Sequence, residues 1–347
     1  MIKIPHYRIL SQIYDSANSV LYRAIKEEDE QPVILKVLKE DYPTPDELTR
    51  YQQEYEITKS LNLPGVVKIY GIEKYQNTLI IVLEDFGGES LKTALPLILQ
   101  PPQRDGDVPS RGGLGRGPDI SSFLSIAIQI ADSLGQIHAT NVIHKDINPS
   151  NIVWNQYSNQ LKIIDFGIAT RLPRENPTLK NPEHLEGTLA YISPEQTGRM
   201  NRSFDYRTDL YSLGVTFYEL LTGQLPFKSK VPLELVHSHI ARIPNTPNQL
   251  NSEIPPIISN IIMKLMAKNA EDRYQSAFGL KWDLEQCQQP LKIQNPIEPF
   301  ELAQQDVAGH FKIPQILYGR EKEINTLLQA FERVIKGKVV RGQEKAN

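Results

Sequence analysis

His144-Lys145-Asp146-Ile147-Asn148-Pro149-Ser150-Asn151, followed downstream by Asp165-Phe166-Gly167, is the stretch on which the reading of this chain turns. An aspartate with an asparagine five positions later, on a loop closing a helix, supplies two complementary groups. The carboxylate can orient and deprotonate an acceptor hydroxyl, and the amide oxygen can hold a metal ion on phosphates. A second aspartate, Asp165, is presented by a short strand pair expected over 152–154 and 161–164, and it completes a metal clamp. Magnesium prefers hard oxygen ligands of this kind. The chemistry implied is phosphoryl transfer, which asks a protein for positioning and charge more than for covalent participation.

Upstream of that stretch, residues 7–40 alternate apolar and polar side chains, as in Val20-Leu21-Tyr22-Arg23-Ala24 and Val33-Ile34-Leu35-Lys36-Val37-Leu38. That period of two predicts antiparallel strands. Residues 45–62 read as a helix opened by Pro45, with Leu48, Tyr51, Tyr55 and Leu61 spaced for one apolar side. Further strands are expected near 66–70 and 79–83. Residues 96–118 are rich in proline, glycine and alternating Arg and Asp. Such a composition builds no packed core and predicts a disordered insertion between two helices. Residues 120–140 have a strong helical pattern, and the chain to 289 reads as helices punctuated by turns. A strand-rich first third and a helical remainder predict an α+β chain in two lobes.

These motifs, in this order, resemble the eukaryotic-type protein kinase superfamily over about residues 7–288, with 144–151 as catalytic loop and 165–167 as metal-binding motif. The resemblance implies the bilobal protein kinase fold: a small β-rich N-lobe with one main helix (1–86) and a larger, mostly helical C-lobe (87–288). It implies ATP as donor, Mg2+ as metal, Asp146 as catalytic base, and Asn151 and Asp165 as metal ligands. Lys36 corresponds to the lysine that grips the α- and β-phosphates, and Glu54 is its expected partner. Glu56 is the rival, but it lies about 200° around the helix from Glu54, so both cannot face Lys36. Ile13, Val20, Ile34 and Val153 are expected around the nucleotide, with backbone near Glu84 and Phe86 as the hinge and Leu83 gating the pocket behind. The segment from Gly187 to Glu195 resembles the end of an activation segment. Thr188 stands where serine/threonine kinases hold the catalytic aspartate, so a protein Ser or Thr is the implied acceptor. Glu195 and Arg273 are expected as a buried ion pair, Asp209 as the anchor of the catalytic-loop backbone, and His144 as a core support. Thr178 is the expected phosphosite, with Lys145, Arg171 and Arg174 to receive its charge.

Three positions depart from the family pattern. Ile13, Asp15 and Asn18 occupy the three places where glycines normally let the backbone approach phosphates. Ser16, Asn18 and Ser19 offer side-chain donors there, and Asp15 must point outward to avoid the polyanion. Asn148 replaces the lysine that usually neutralises the transferring group, which predicts slow turnover. Ile34 replaces an alanine and narrows the adenine pocket. Lys36, Asp146, Asn151 and Asp165 are all retained, which favours an active enzyme over a nucleotide-binding pseudokinase that signals by conformation.

The formal net charge of -3, with 40% hydrophobic and 23% charged residues, predicts no nucleic-acid partner. No uninterrupted run of ~20 apolar residues predicts a membrane segment, and a cytoplasmic location is expected. Cys287 is the one cysteine, so no intrachain disulfide can form. Residues 289–316 read as a Pro- and Gln-rich linker. Residues 317–347, opening on Tyr318-Gly319-Arg320-Glu321, resemble the start of an ATPase module, with a capping helix as the alternative. With the His-Lys-Asp-Ile-Asn-Pro-Ser-Asn loop, this tail resembles the kinase head of large bacterial multi-sensor signalling kinases, whose ATPase and sensor domains would lie outside these residues.

Overall fold

The alternating N-terminal residues form a five-stranded antiparallel sheet in the order β1-β2-β3-β5-β4. Its strands are β1 (Tyr7–Asp15), β2 (Ser19–Lys26), β3 (Gln31–Leu38), β4 (Ile69–Tyr75) and β5 (Thr78–Glu84), with helix α1 (Pro45–Ser60) between β3 and β4. The structure is a computed structural model that describes residues 3–16, 18–39, 43–98, 119–171, 187–198, 205–293 and 295–307. Successive β3 side chains point to opposite faces of the sheet. Val33, Leu35 and Val37 therefore join Ile80 and Val82 in one buried cluster, while Leu38 joins Ile81 and Tyr51 of α1 in another. The same alternation turns Lys36 toward α1. That helix starts on a capping box in which Thr44 and Glu47 satisfy each other's backbone N–H groups, with Pro45 in its first turn.

The larger lobe contains β6 (Glu89–Ser90), α2 (Leu91–Ile98), α3 (Ile120–Ala139), β7 (Val142–Ile143), β8 (Ile152–Asn155), β9 (Gln160–Ile163) and β10 (Thr170–Arg171). It continues through α4 (Arg207–Thr222), α5 (Pro232–Ala241), α6 (Pro247–Leu250), α7 (Pro256–Leu265) and α8 (Ala277–Lys292). Helix α4 is buried from Arg207 to Leu221 and forms the hub of the lobe. It crosses α7 closely because Gly214 has no side chain; a Cβ there would lie 2.7 Å from Leu265 Cβ. Gly214→Ala is expected to destabilise the protein by about 1–3 kcal/mol through overpacking, read from the midpoint of urea unfolding. Helix α3 is long and apolar enough to cross a bilayer by length and composition. In the fold it is a core helix, with Phe123, Leu124, Ala127, Ile130 and Leu134 fully buried.

Three boundaries differ from the sequence-based expectation. The strand expected from 66 begins at Ile69, because Val66 instead bridges Ile163 of β9. This loop runs against α3, where a Cβ on Gly65 would fall 2.0 Å from Ser133 Oγ. Residues 96–98, expected to open the insertion, instead end α2; residues 99–118 lie outside the described residues. The linker expected from 289 begins inside α8, which carries Pro290 in its last turns. Beyond it, Ile297, Phe300, Leu302 and Ala303 pack against the C-lobe core. Polar residues separate those apolar anchors without a period, so composition hid them. Residues 308–347, including the expected ATPase-like start, lie outside the described residues.

Candidate active site

The site is built where both lobes present charge. Lys36 Nζ donates to Glu54 Oε1 at 2.6 Å and to Asp165 Oδ1 at 3.0 Å. Glu54 is buried on the inner face of α1, whereas Glu56 is exposed and bonds Gln52, so the rival is excluded by orientation. Tyr51, three residues before Glu54, donates its hydroxyl to the Lys36 carbonyl at 2.8 Å. It was missed as a site residue, although its spacing from Glu54 put it on the same face. Gln53 of α1 also reaches the Ala169 carbonyl, and Arg171 of β10 donates to Ser60. The helix is thereby tied to the start of the activation segment.

Burial alone would push the Lys36 amine down, but the Asp165 and Glu54 carboxylates outweigh it and hold the amine above the usual lysine range. Burial likewise works against the Asp165 charge, and Lys36 overrides it, leaving that carboxyl below its ordinary value. For Glu54 burial prevails over Lys36 and pushes the carboxyl from 4.5 up to about 7. A raised folded-state value means that the protonated form favours the folded protein. That contribution is whole below about pH 4.5 and is lost as pH rises through about 7. Nucleotide-free protein is therefore expected to lose about 1–3 kcal/mol relative to Glu54→Gln between about pH 5 and pH 8, measured as the pH dependence of urea midpoints.

The catalytic loop is held by its own backbone and by α4. Asp209, fully buried in the first turn of α4, accepts from the backbone N–H of His144 at 2.8 Å and of Lys145 at 2.7 Å. His138 Nε2 lies 2.9 Å from the same carboxylate, a support that the sequence reading did not single out. His144 is a core residue: its Nδ1 accepts from Asp146 N–H, its Nε2 donates to the Ile164 carbonyl at 2.9 Å, and its ring packs on Phe166. Lys145 and Asp165 adopt left-handed backbone, φ 68 and 65, a conformation uncommon outside glycine and held here by these tertiary bonds.

Asp146 is partly open. Its Oδ1 accepts from Thr188 N–H and its Oδ2 from Asn151 Nδ2, both at 2.9 Å. Thr188 thus reaches the aspartate through its backbone, while its hydroxyl lies 3.5 Å from Asn148 Nδ2. Gly187, at φ 94, permits that approach. Asn148 donates to the Asp146 carbonyl and accepts from Ser150 N–H, capping the short turn that carries Asn151. It braces the loop. Asp165 Oδ2 and Asn151 Oδ1 accept no hydrogen bond from the described residues, and the Asp165 side chain is 43% exposed. These uncommitted oxygens fit a hard divalent cation.

The hairpin of β1 and β2, which has no glycine at Ile13, Asp15 or Asn18, is closed by side-chain bonds. Ser16 Oγ accepts from Ser19 N–H and donates to the Ser19 carbonyl, so its hydroxyl is engaged within the turn. Asp15 points to Lys39, 2.9 Å away. Ile13 sits in a register irregularity of β1 and is 43% exposed. Val20 lies on β2; Ile34 and Leu83 are direct partners across β3 and β5; Val153 lies on β8 beneath Gly88. At the hinge Glu84 pairs with Lys162 at 2.6 Å and Asp85 with Arg23 at 2.7 Å. The Phe86 carbonyl accepts from Asn155 at 2.7 Å, which leaves one lone pair for another donor.

Away from the cleft, Arg273 makes a bidentate pair with Glu195, at 2.7 and 2.9 Å, with both side chains buried. Thr178 and Arg174 lie outside the described residues. Cys287 is a buried helix residue whose thiol burial pushes up to about 12.

A family model described as the protein kinase domain matches residues 7–283, and the chain belongs to that family. Its members use ATP and a divalent metal. The chain is 35% identical to hybrid signal transduction histidine kinase G of Dictyostelium discoideum, over 63% of this chain and 9% of that protein. It is 30% identical to a probable serine/threonine-protein kinase of Clostridium perfringens, over 83% of this chain and 39% of the relative. It is 28% identical to the serine/threonine-protein kinase PrkC of Bacillus subtilis, over 80% and 40% respectively. The chain thus spans less than half the length of these curated relatives.

Proposed function

We propose that this chain transfers the γ-phosphoryl group of ATP to serine or threonine hydroxyls of a protein, in the cytoplasm, as the kinase domain of a larger signalling protein. The observation that carries the reading is the Lys36 amine held between Glu54 and Asp165 while Asp146 is separately oriented by Thr188 and Asn151. Lys36 is placed to neutralise phosphate oxygens, and Glu54 fixes its direction. Asp146 accepts the proton of the attacking hydroxyl, its two oxygens aimed by one backbone and one amide donor. Asp165 and Asn151 would hold the divalent cation, for which the all-oxygen donor set supports Mg2+, and which would supply charge neutralisation at the phosphates. With Asn148 bracing the loop, no lysine stands two residues after the base, which supports slow turnover.

The test is labelling with γ-32P-ATP and magnesium, on the protein itself and on generic substrates, followed by phosphoamino-acid analysis. Phosphoserine or phosphothreonine that disappears in Asp165→Asn is the expected result. Nucleotide-dependent thermal stabilisation without any phosphoprotein would instead assign a nucleotide-binding signalling role.

A further inference from the structure

Residues 295–307 contribute more than packing. Asp306 accepts from Ser276 Oγ at 2.7 Å and from the Gln275 backbone N–H, and so grips the start of α8. Ala303 N–H donates to the buried Asp283 at 2.8 Å. The sequence leaves room for this grip. Gly279 faces Asp306, and a Cβ there would lie 2.3 Å from Asp306 Oδ1.

Gln275 carries the contact onward. Its side-chain oxygen accepts from Arg207 Nη1 and its carbonyl from the Tyr206 hydroxyl, both at 3.1 Å. Arg273, two residues earlier, donates to the Arg207 carbonyl at 3.0 Å. Tyr206 and Arg207 open α4, whose N-cap residue supplies no side-chain cap; Asp205 Oδ1 accepts from the Arg207 N–H at 2.9 Å, and Gln275 adds the contact from the start of α8. In the same turn Asp209 pins the backbone of His144 and Lys145, beside Asp146.

We infer that residues 295–307 are a strap belonging to the catalytic unit, and that Asp306 is a positioning residue for phosphoryl transfer. It acts through Gln275 and the first turn of α4 on Asp209 and the catalytic loop. The kinetic part rests on the reading of Asp146 as the base; the positional part does not.

The experiment uses the full chain with Asp306→Gly, Asp306→Asn, Gly279→Ala and the double variant Asp306→Gly/Gly279→Ala. Amide hydrogen exchange over 142–148 reads position, and kcat with KM for ATP reads function. Asp306→Gly is expected to speed exchange at His144 and Lys145 and to lower kcat by about threefold to tenfold, with KM for ATP and exchange in β3 and β5 unchanged. Asn retains one acceptor and one donor, so Asp306→Asn restores both readouts. Gly279→Ala reproduces the loss by expelling the carboxylate, and the double variant is no worse than Asp306→Gly, as shared action requires. Exchange that rises only within 275–307, with kcat unchanged, overturns the inference, as does additive loss in the double variant. If the wild type lacks Asp146-dependent transfer, the kinase reading fails while the exchange result still decides the positional claim.

Discussion

Asp146→Asn is expected to lower kcat by about 10²–10⁴-fold, the span of a positioned general base. In barrier terms that is about 3–5 kcal/mol. The substitution removes the proton acceptor but also disturbs its setting. Thr188 N–H and Asn151 Nδ2 each point a donor at one carboxylate oxygen. An asparagine offers one acceptor, and its amino group must face one of those donors. Asp146→Ala avoids that conflict, and Asn151 keeps its second bond, to the Asp146 backbone carbonyl at 2.9 Å. The two variants should therefore lose kcat together while ATP affinity, which the proposed function assigns largely to Lys36 and the hinge, stays near the wild type. Steady-state kinetics with thermal shifts in ATP and magnesium check both halves. Transfer retained at the wild-type rate in both variants would remove Asp146 from the mechanism.

Arg273→Ala is expected to destabilise the protein by about 3–5 kcal/mol, because it strands a buried carboxylate. Glu195 would keep only the Thr208 hydroxyl, at 2.9 Å, as a partner among the described residues. The guanidinium also donates to the Ala267, Arg207 and Lys268 carbonyls and lies over the Tyr211 ring, so its removal loosens both residues 267–268 and the first turns of α4. Replacing both partners by apolar residues, as in Arg273→Met with Glu195→Leu, should recover much of the loss, since desolvating an ion pair is itself costly. Urea unfolding of the two single variants and the double variant measures this. A double variant as unstable as the sum of the singles would show that the carbonyl contacts of Arg273, not its charge, hold the lobe.

Much of the catalytic centre was legible because phosphoryl transfer requires particular residue types at short, fixed spacings. Asp146 and Asn151 share one loop, and Asp165 follows a hairpin that is itself visible in the strand pattern. Lys36 and Glu54 were legible for a related reason. Strand alternation and helix periodicity decide which way each side chain points, and they separated Glu54 from Glu56. The supports were less legible. Tyr51 and His138 gain their roles from residues far away in the chain, and Lys39 neutralises Asp15 across two strands.

The sequence by itself pointed to the two lobes and the candidate catalytic groups, since each rests on local periodicity or on spacing within one short segment, and its family resemblance gave the acceptor class to be tested. The tertiary structure alone decided that Asn148 braces a loop, that Thr188 holds Asp146 by its backbone, and that residues 295–307 pack on the C-lobe. Each of these depends on which groups long-range packing brings within about 3 Å, the reach of a hydrogen bond. No period or composition along the chain encodes that distance.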